Sequence, residues 1–244
     1  MIRYYWGRFW PFLLFAFGIE VVENLFTVFF EYRSMDFGFL PLLKTGYVFV
    51  TEFLITMCYW LLPYAIYLWL LPRSKAGGRA DRWITLAWFF LFALASLFED
   101  VAEAFFWNEF EASFNFIAVD YLIYTKEVIG NIYESYPIIP ILLGILAVSV
   151  LAAWGMRRFL IPGNAEAPRG WKRGCVVAAL LLCVTGGYWL VDIKDADAVG
   201  NRYNSEMAKD GLYSLFSAFI KNELDYRTYY KTLPDQDAAA LSLI

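Results

Sequence analysis

Five stretches of this sequence are each long and apolar enough to cross a bilayer, and they fix the class of fold before any other feature is weighed. A bilayer core about 30 Å thick takes roughly 20 mostly apolar residues of helix. Runs of that kind occupy 9–30, 46–71, 84–106, 138–160 and 174–193. Too little polar chain remains to wrap five such rods in a soluble shell. The chain is 60% hydrophobic and 18% charged over 244 residues, whereas soluble domains are about 25% charged. The expected fold is an all-α membrane protein. Five transmembrane helices fill 1–193, with an interfacial helical segment at 107–137. An external amphipathic tether and the start of a further domain fill 194–244. Punctuation agrees: Pro41 and Pro72 flank the second run, Pro137 opens the fourth, and Pro162, Gly163 and Pro168 close it. The first run is read as a retained span and not a cleaved leader. It is too long, lacks a small-x-small cleavage site, and contains Glu20 and Glu23.

Loop cations give the runs a direction. Arg3 and Arg8 precede the first run. Arg73, Lys75, Arg79 and Arg82 follow the second, and Arg157, Arg158, Arg169, Lys172 and Arg173 follow the fourth. The alternate loops hold only Arg33, Lys44 and Lys126. Cations concentrate on the cytoplasmic side of membrane proteins, so the N-terminus is expected in the cytoplasm and the last 51 residues outside. Tyr4, Tyr5, Trp6, Trp10, Trp69, Trp83, Trp107, Trp154, Trp171 and Trp189 fall near the expected ends, where amphipathic rings favour the interface.

Two segments are not spans. Residues 107–136 mix aromatics with Asn108, Glu109, Glu111, Asn115, Asp120, Lys126, Glu127, Asn131 and Glu134. Phe110, Phe114, Ile117, Tyr121 and Tyr124 recur every three or four residues, which predicts either short helices in the outer interface or a packed cap. After the fifth run, Leu212, Leu215, Phe216, Phe219, Ile220 and Leu224 form a stripe on a helix expected over 205–224. That stripe is expected to lie on the membrane, on the segment before the fourth run, or against a further domain.

Chemistry-bearing motifs are few. The absence of histidine removes His-based triads, two-His zinc sites and the usual neutral-pH base. There is no phosphate loop or nucleophile elbow. A sequence pI near 5 leaves no basic footprint for nucleic acid. The three cysteines make no disulfide framework, and Cys175 and Cys183, beside Gly186 and Gly187, read as packing residues. What stands out is acid within the runs: Glu20 and Glu23 in the first, Glu52 in the second, and Glu99, Asp100 and Glu103 in the third. A charge at a span's centre costs at least about 2.5–3.5 kcal/mol. Three readings stay open: a polar lock between helices, a wet pocket for the hydroxyls of a lipid or sugar headgroup, and a proton or cation path.

Two stretches carry a resemblance. FNFIAVDYLIYTKEVIGNIYESYP (114–137) and DGLYSLFSAFIKNELDY (210–226) resemble the extracytoplasmic segment and the stretch after the fifth span of lipoteichoic acid synthase-like proteins of Gram-negative bacteria. Those belong to the alkaline phosphatase/sulfatase superfamily and transfer phosphoglycerol or related headgroups from a membrane lipid. The resemblance implies a bacterial inner-membrane location and a lipid donor such as phosphatidylglycerol. It also implies an external α/β domain, with a Thr nucleophile and a divalent metal such as manganese, starting where this sequence stops. No catalytic residue and no metal ligand carries over, so the chain alone is expected to be inactive and to hold no cofactor. What carries over is Asn115, Asp120, Tyr121, Glu127, Asn131 and Tyr136 in the interfacial motif, and Gly211, Phe216, Phe219, Asn222, Glu223 and Tyr226 in the tether, implied to dock the catalytic domain. The rival readings are a non-catalytic adaptor for a separate envelope protein and an ion or solute carrier using the acids.

Overall fold

Apolar residues persist around the whole circumference of the long runs, as expected of helices enclosed by neighbours and lipid rather than resting on one face. The computed structural model describes residues 1–123, 125–160, 167–191 and 201–220. In chain order the helices are α1 (Ile2–Glu31), α2 (Phe39–Leu70), α3 (Arg79–Phe110), α4 (Phe116–Ile123), α5 (Thr125–Ser135), α6 (Ile138–Met156), α7 (Gly170–Leu190), α8 (Arg202–Met207) and α9 (Gly211–Ile220). No strand occurs among the described residues. Helices α1, α2, α3, α6 and α7 are long and apolar enough to cross a membrane, and the fold is an all-α membrane fold.

Several helices outrun the apolar stretches that announced them. Helix α1 begins at Ile2 and not at residue 9, and α2 at Phe39 and not at 46. Pro41 lies inside the first turn of α2, where the missing N–H is one the helix could not have bonded. Helix α6 stops at Met156, short of residue 160.

The core gathers α1, α2 and α3 around aromatic rings. Phe12 of α1 lies 5.2 Å, ring to ring, from Tyr64 of α2, and 5.1 and 5.2 Å from Phe89 and Phe92 of α3. Edge and tilted contacts of this kind add to the burial of the rings. Helix α7 packs along α2, and α6 along α3. Gly187 sets the first approach: a Cβ there would come 2.8 Å from Ile55.

The end nearest Met1 is tied by buried ions. Arg8 donates to both Asp81 oxygens, at 2.6 and 3.2 Å, and Asp81 also accepts from the Tyr67 hydroxyl and the Gly77 N–H. Arg173 donates to the carbonyls of Leu68 and Leu71, acceptors that the end of α2 leaves open. Both arginines count as loop cations in the sequence, yet both are buried within helices.

At the far end the helices stop at different heights. Helices α2 and α3, of 32 residues each, run about 48 Å; α6 and α7, of 19 and 21, run about 30 Å. The Gly187–Ile55 contact levels the end of α7 with about residue 52 of α2. Tyr136, just before α6, lies 4.4 Å from the Phe105 ring, which levels the start of α6 with about residue 103 of α3. Helices α2 and α3 therefore overhang the shorter pair, and α4, α8 and α9 pack on this upper part.

Candidate functional site: a carboxyl chamber closed by the C-terminal helices

Spacing places the acids. Glu20 and Glu23, three apart on α1, share a face, as do Glu99 and Glu103 on α3 with Asp100 beside them. Glu52 is fully buried on α2. The structure brings all six together at the level where the overhang begins. A seventh carboxylate joins them from the tail: Glu20 faces Asp210, Glu23, Asp100 and Glu103, and Glu99 faces Glu103, Asp100 and Asp210.

Asp210 organises the closure. Its side chain is a helix cap: Oδ1 accepts from the N–H of Tyr213, and the backbone carbonyl from the N–H of Ser214, so α9 starts there. The same Oδ1 accepts from the Thr56 hydroxyl at 2.8 Å, and the Asp210 N–H donates to Glu52 Oε2 at 2.9 Å. At Gly211 a Cβ would overlap the Glu103 carboxylate and sit 2.8 Å from Glu99 Oε1, so a larger residue needs those two side chains to shift. Burial pushes the Asp210 carboxyl above the usual aspartate range, with the Tyr213 N–H and the Thr56 hydroxyl pulling the other way.

Helix α8 fastens the tail to three elements. Asn204 exchanges two hydrogen bonds with the Asp36 backbone, and Asn201 donates to the Ser34 carbonyl. Glu206 accepts from the Ser113 N–H on Oε2 and from the Ser113 hydroxyl on its carbonyl. Arg202 donates to the carbonyls of Phe110 and Glu111, at the end of α3. On α9, the Tyr213 hydroxyl donates to the Val191 carbonyl at 2.8 Å.

The tail departs from expectation in two ways. One helix over 205–224 is replaced by α8 and α9, broken at Ala208–Asp210, because Asp caps better than it propagates and Gly is the poorest non-proline helix former. The apolar stripe is also divided between two surroundings. Gly211, Tyr213 and Ser214 are buried, while Phe216, Phe219 and Ile220 are exposed. Of the stripe, Leu215 packs on the cluster of Phe106, Phe114 and Ala118. Asn222, Glu223 and Tyr226 lie outside the described residues.

The interfacial motif stands apart from the acids. Asn115 caps α4 by accepting from the Ile117 N–H, and the Tyr121 ring meets Phe110 edge-on. Asp120 is half-buried, Asn131 is exposed and the Tyr136 ring lies tilted against Phe105. The Glu127 side chain lies outside the described residues. Cys175 and Cys183 are exposed on α7, Cys183 meets Cys58 of α2, and Gly187 makes the close approach to Ile55.

Glu20, Glu23, Glu103, Glu206, Lys209 and Gly211 line a cleft with about 20 Å³ of room for water. That is space for about one water molecule, well short of a glycerol or sugar headgroup. Among the described residues no three His, Cys, Asp or Glu side chains form a metal-binding group. Lys209, 2.8 Å from Glu206 Oε1, brings a cation into this cleft. Sequence reading missed Asp210, Glu206 and Lys209, whose signal is the cap-and-glycine pair Asp210–Gly211 inside an apparently continuous amphipathic stretch. The chamber can hold protons and hydrogen-bond donors, and here it holds the tail. Compared with known proteins, the chain matches no family model, no curated protein and no solved structure.

Proposed function

We propose that this bundle is the membrane-embedded portion of a phosphoglycerol transferase of the sulfatase superfamily, resembling lipoteichoic acid synthase. Its task is to hold an external, metal-dependent catalytic domain against the outer face of the bacterial inner membrane, within reach of a lipid donor such as phosphatidylglycerol. The observation that supports this reading is the seat of the tail. Helices α8 and α9 are stitched to the α1–α2 turn, to the end of α3 and to Glu52 and Thr56 of α2, so a domain following α9 would start from a fixed point at the far end. Eleven loop and near-loop cations at the Met1 end, against three in the alternate loops, favour placing that far end outside the cell. The chamber carboxyls form no metal group, so in this proposal the metal and the nucleophile belong to the external domain.

The test has two arms. Protein purified from its native membrane, given headgroup-labelled phosphatidylglycerol and Mn²⁺, is expected to transfer label only when a polypeptide bearing the catalytic domain is present. The 244-residue chain alone in the same vesicles is expected to release none. Release by the chain alone overturns the proposal, and so does a bundle that never travels with transfer activity. The exposed row Phe216, Phe219 and Ile220 on α9 favours a second reading, a non-catalytic adaptor for an envelope protein. It predicts a stable complex with no headgroup transfer in any fraction.

A further inference from the structure

The two buried arginines at the Met1 end are answered differently. Arg8 is matched by Asp81. Arg173, in the first turn of α7, is 5% exposed, and among the described residues it forms no ion pair. Its acceptors are the carbonyls of Leu68 and Leu71. The end of a helix supplies only about half a negative charge, so the guanidinium stays partly uncompensated where a buried charge is ordinarily paired. Hydrogen-bond donors are left over at the same place. Tyr4 and Tyr5, in the first turn of α1, are 3% and 5% exposed, and neither hydroxyl has a hydrogen-bond partner in the protein. Nor has the Nε of Arg8 or of Arg173. Both tyrosine hydroxyls lie within electrostatic reach of both guanidiniums. The unmet groups therefore form one cluster between the start of α1, the end of α2 and the start of α7. All four can donate, and the two arginine nitrogens can only donate. With Arg8 matched by Asp81, the cluster carries one net positive charge. Spare donors and spare positive charge are met together by an anion rich in acceptor oxygens.

Height in the bundle narrows the choice of anion. From Asp81 to Glu103, α3 rises about 33 Å, close to the thickness of a bilayer core. With the carboxyl chamber at one boundary, the tyrosine–arginine cluster lies at the other, level with lipid headgroups. Exposed Arg3, Arg169 and Lys172 flank it in sequence and draw anions toward it. We propose that Tyr4, Tyr5, Arg8 and Arg173 form a phosphate-binding site, with the Arg173 guanidinium as counter-charge and the two hydroxyls and the Arg8 Nε–H as donors. Tetrahedral phosphate oxygens can meet donors arriving from separate helices, which the two coplanar oxygens of a carboxylate cannot. The phosphate comes from the headgroup of an anionic phospholipid or from solution. This inference does not rest on the transferase reading, because the site lies at the end of the bundle opposite the tail.

The full chain, freed of lipid in maltoside micelles, tests it by titration at matched ionic strength with sodium phosphate, phosphatidylglycerol, or diacylglycerol, which has the chains without the phosphate. The thermal midpoint is expected to rise saturably with one of the two phosphate probes and not with diacylglycerol. A response to sodium phosphate assigns a free-ion site, and a response to phosphatidylglycerol alone assigns a headgroup site. Tyr5→Phe removes a hydroxyl that the protein itself does not bond. It is expected to keep the native midpoint without ligand and to bind about tenfold more weakly. Arg173→Gln, which can still donate to the carbonyls of α2, is expected to lose more affinity than Tyr5→Phe. The exposed Lys172→Gln is expected to bind within about twofold of the native chain. Absence of a saturable shift with both phosphate probes overturns the proposal. So does native affinity in both Tyr5→Phe and Arg173→Gln, or a loss in Lys172→Gln as large as in Arg173→Gln, which would make the binding diffuse surface charge.

Discussion

Arg8 and Asp81 stand 73 positions apart in sequence and 2.6 Å apart in space, both shielded from solvent. Taking two charges out of water costs several kcal/mol each, which is offset only where the geometry is close and the remaining donors and acceptors are used. Asp81 meets that condition through Arg8, Tyr67 and Gly77, and Arg8 also donates to the Tyr64 hydroxyl and lies 4.8 Å over the Tyr4 ring. Asp81→Asn leaves the guanidinium buried without its counter-charge. It is expected to lower stability by about 3–5 kcal/mol, read as a fall in the thermal midpoint in detergent, and Arg8→Met with Asp81→Leu together should lose less than Asp81→Asn alone. A single variant as stable as the native chain would remove this pair from the account of the fold. The pair was not legible in the sequence: Arg8 reads as a topology signal, and no local pattern records a partner so far along the chain. Glu20, Glu52 and Glu103 were legible, because an acid inside an apolar run has an obvious cost. Asp210 was not, because it sits in a polar stretch where an acid is ordinary.

Elements repeat this division between what is local and what is mutual. The five long helices are visible in the sequence because apolar length alone specifies them. Their ends are less so, since α2 continues past its apolar run into an overhang that only the other helices make into a structured place. The approach of α7 to α2 is likewise mutual. Gly187→Leu would drive a side chain into Ile55, whose Cγ2 would already stand 2.8 Å from an added Cβ. Overpacking of this kind costs about 1–3 kcal/mol, and Ile55→Ala in the same chain is expected to recover part of the loss of thermal stability. No recovery would mean that the close approach is not what the glycine provides. Helix α9 shows that a period names the apolar face and leaves the polar face unread. The periodicity of Leu212–Leu215–Phe219 is real, but the seat on offer was a chamber of carboxyls. The polar side with Gly211 and Ser214 went in, and Phe216 and Phe219 turned out.

At the scale of the whole molecule, an odd number of spans separates the two kinds of site. The Met1 end collects buried arginines and exposed cations; the far end collects seven carboxyls and the tail that covers them. The two ends answer to different forces, one to the charge rule that orients loops and the other to docking of the tail. They can be tested separately. Phosphatase fused behind Ile244 is expected to be active and a fluorescent protein there dark, with the opposite result for fusions between α2 and α3. Replacing Arg73, Lys75, Arg79 and Arg82 with glutamine removes four of the orienting cations and should yield a mixed population, each fusion reporting partial activity. It should leave the hydrogen-exchange protection of α9 unchanged in correctly inserted molecules, because none of the four touches the chamber. Phosphatase active only between α2 and α3 would put the chamber in the cytoplasm and end the case for an external catalytic domain. The packing of α9 against Glu52 and Glu103 would stand, since it depends on the bundle and not on which side of the membrane the bundle faces.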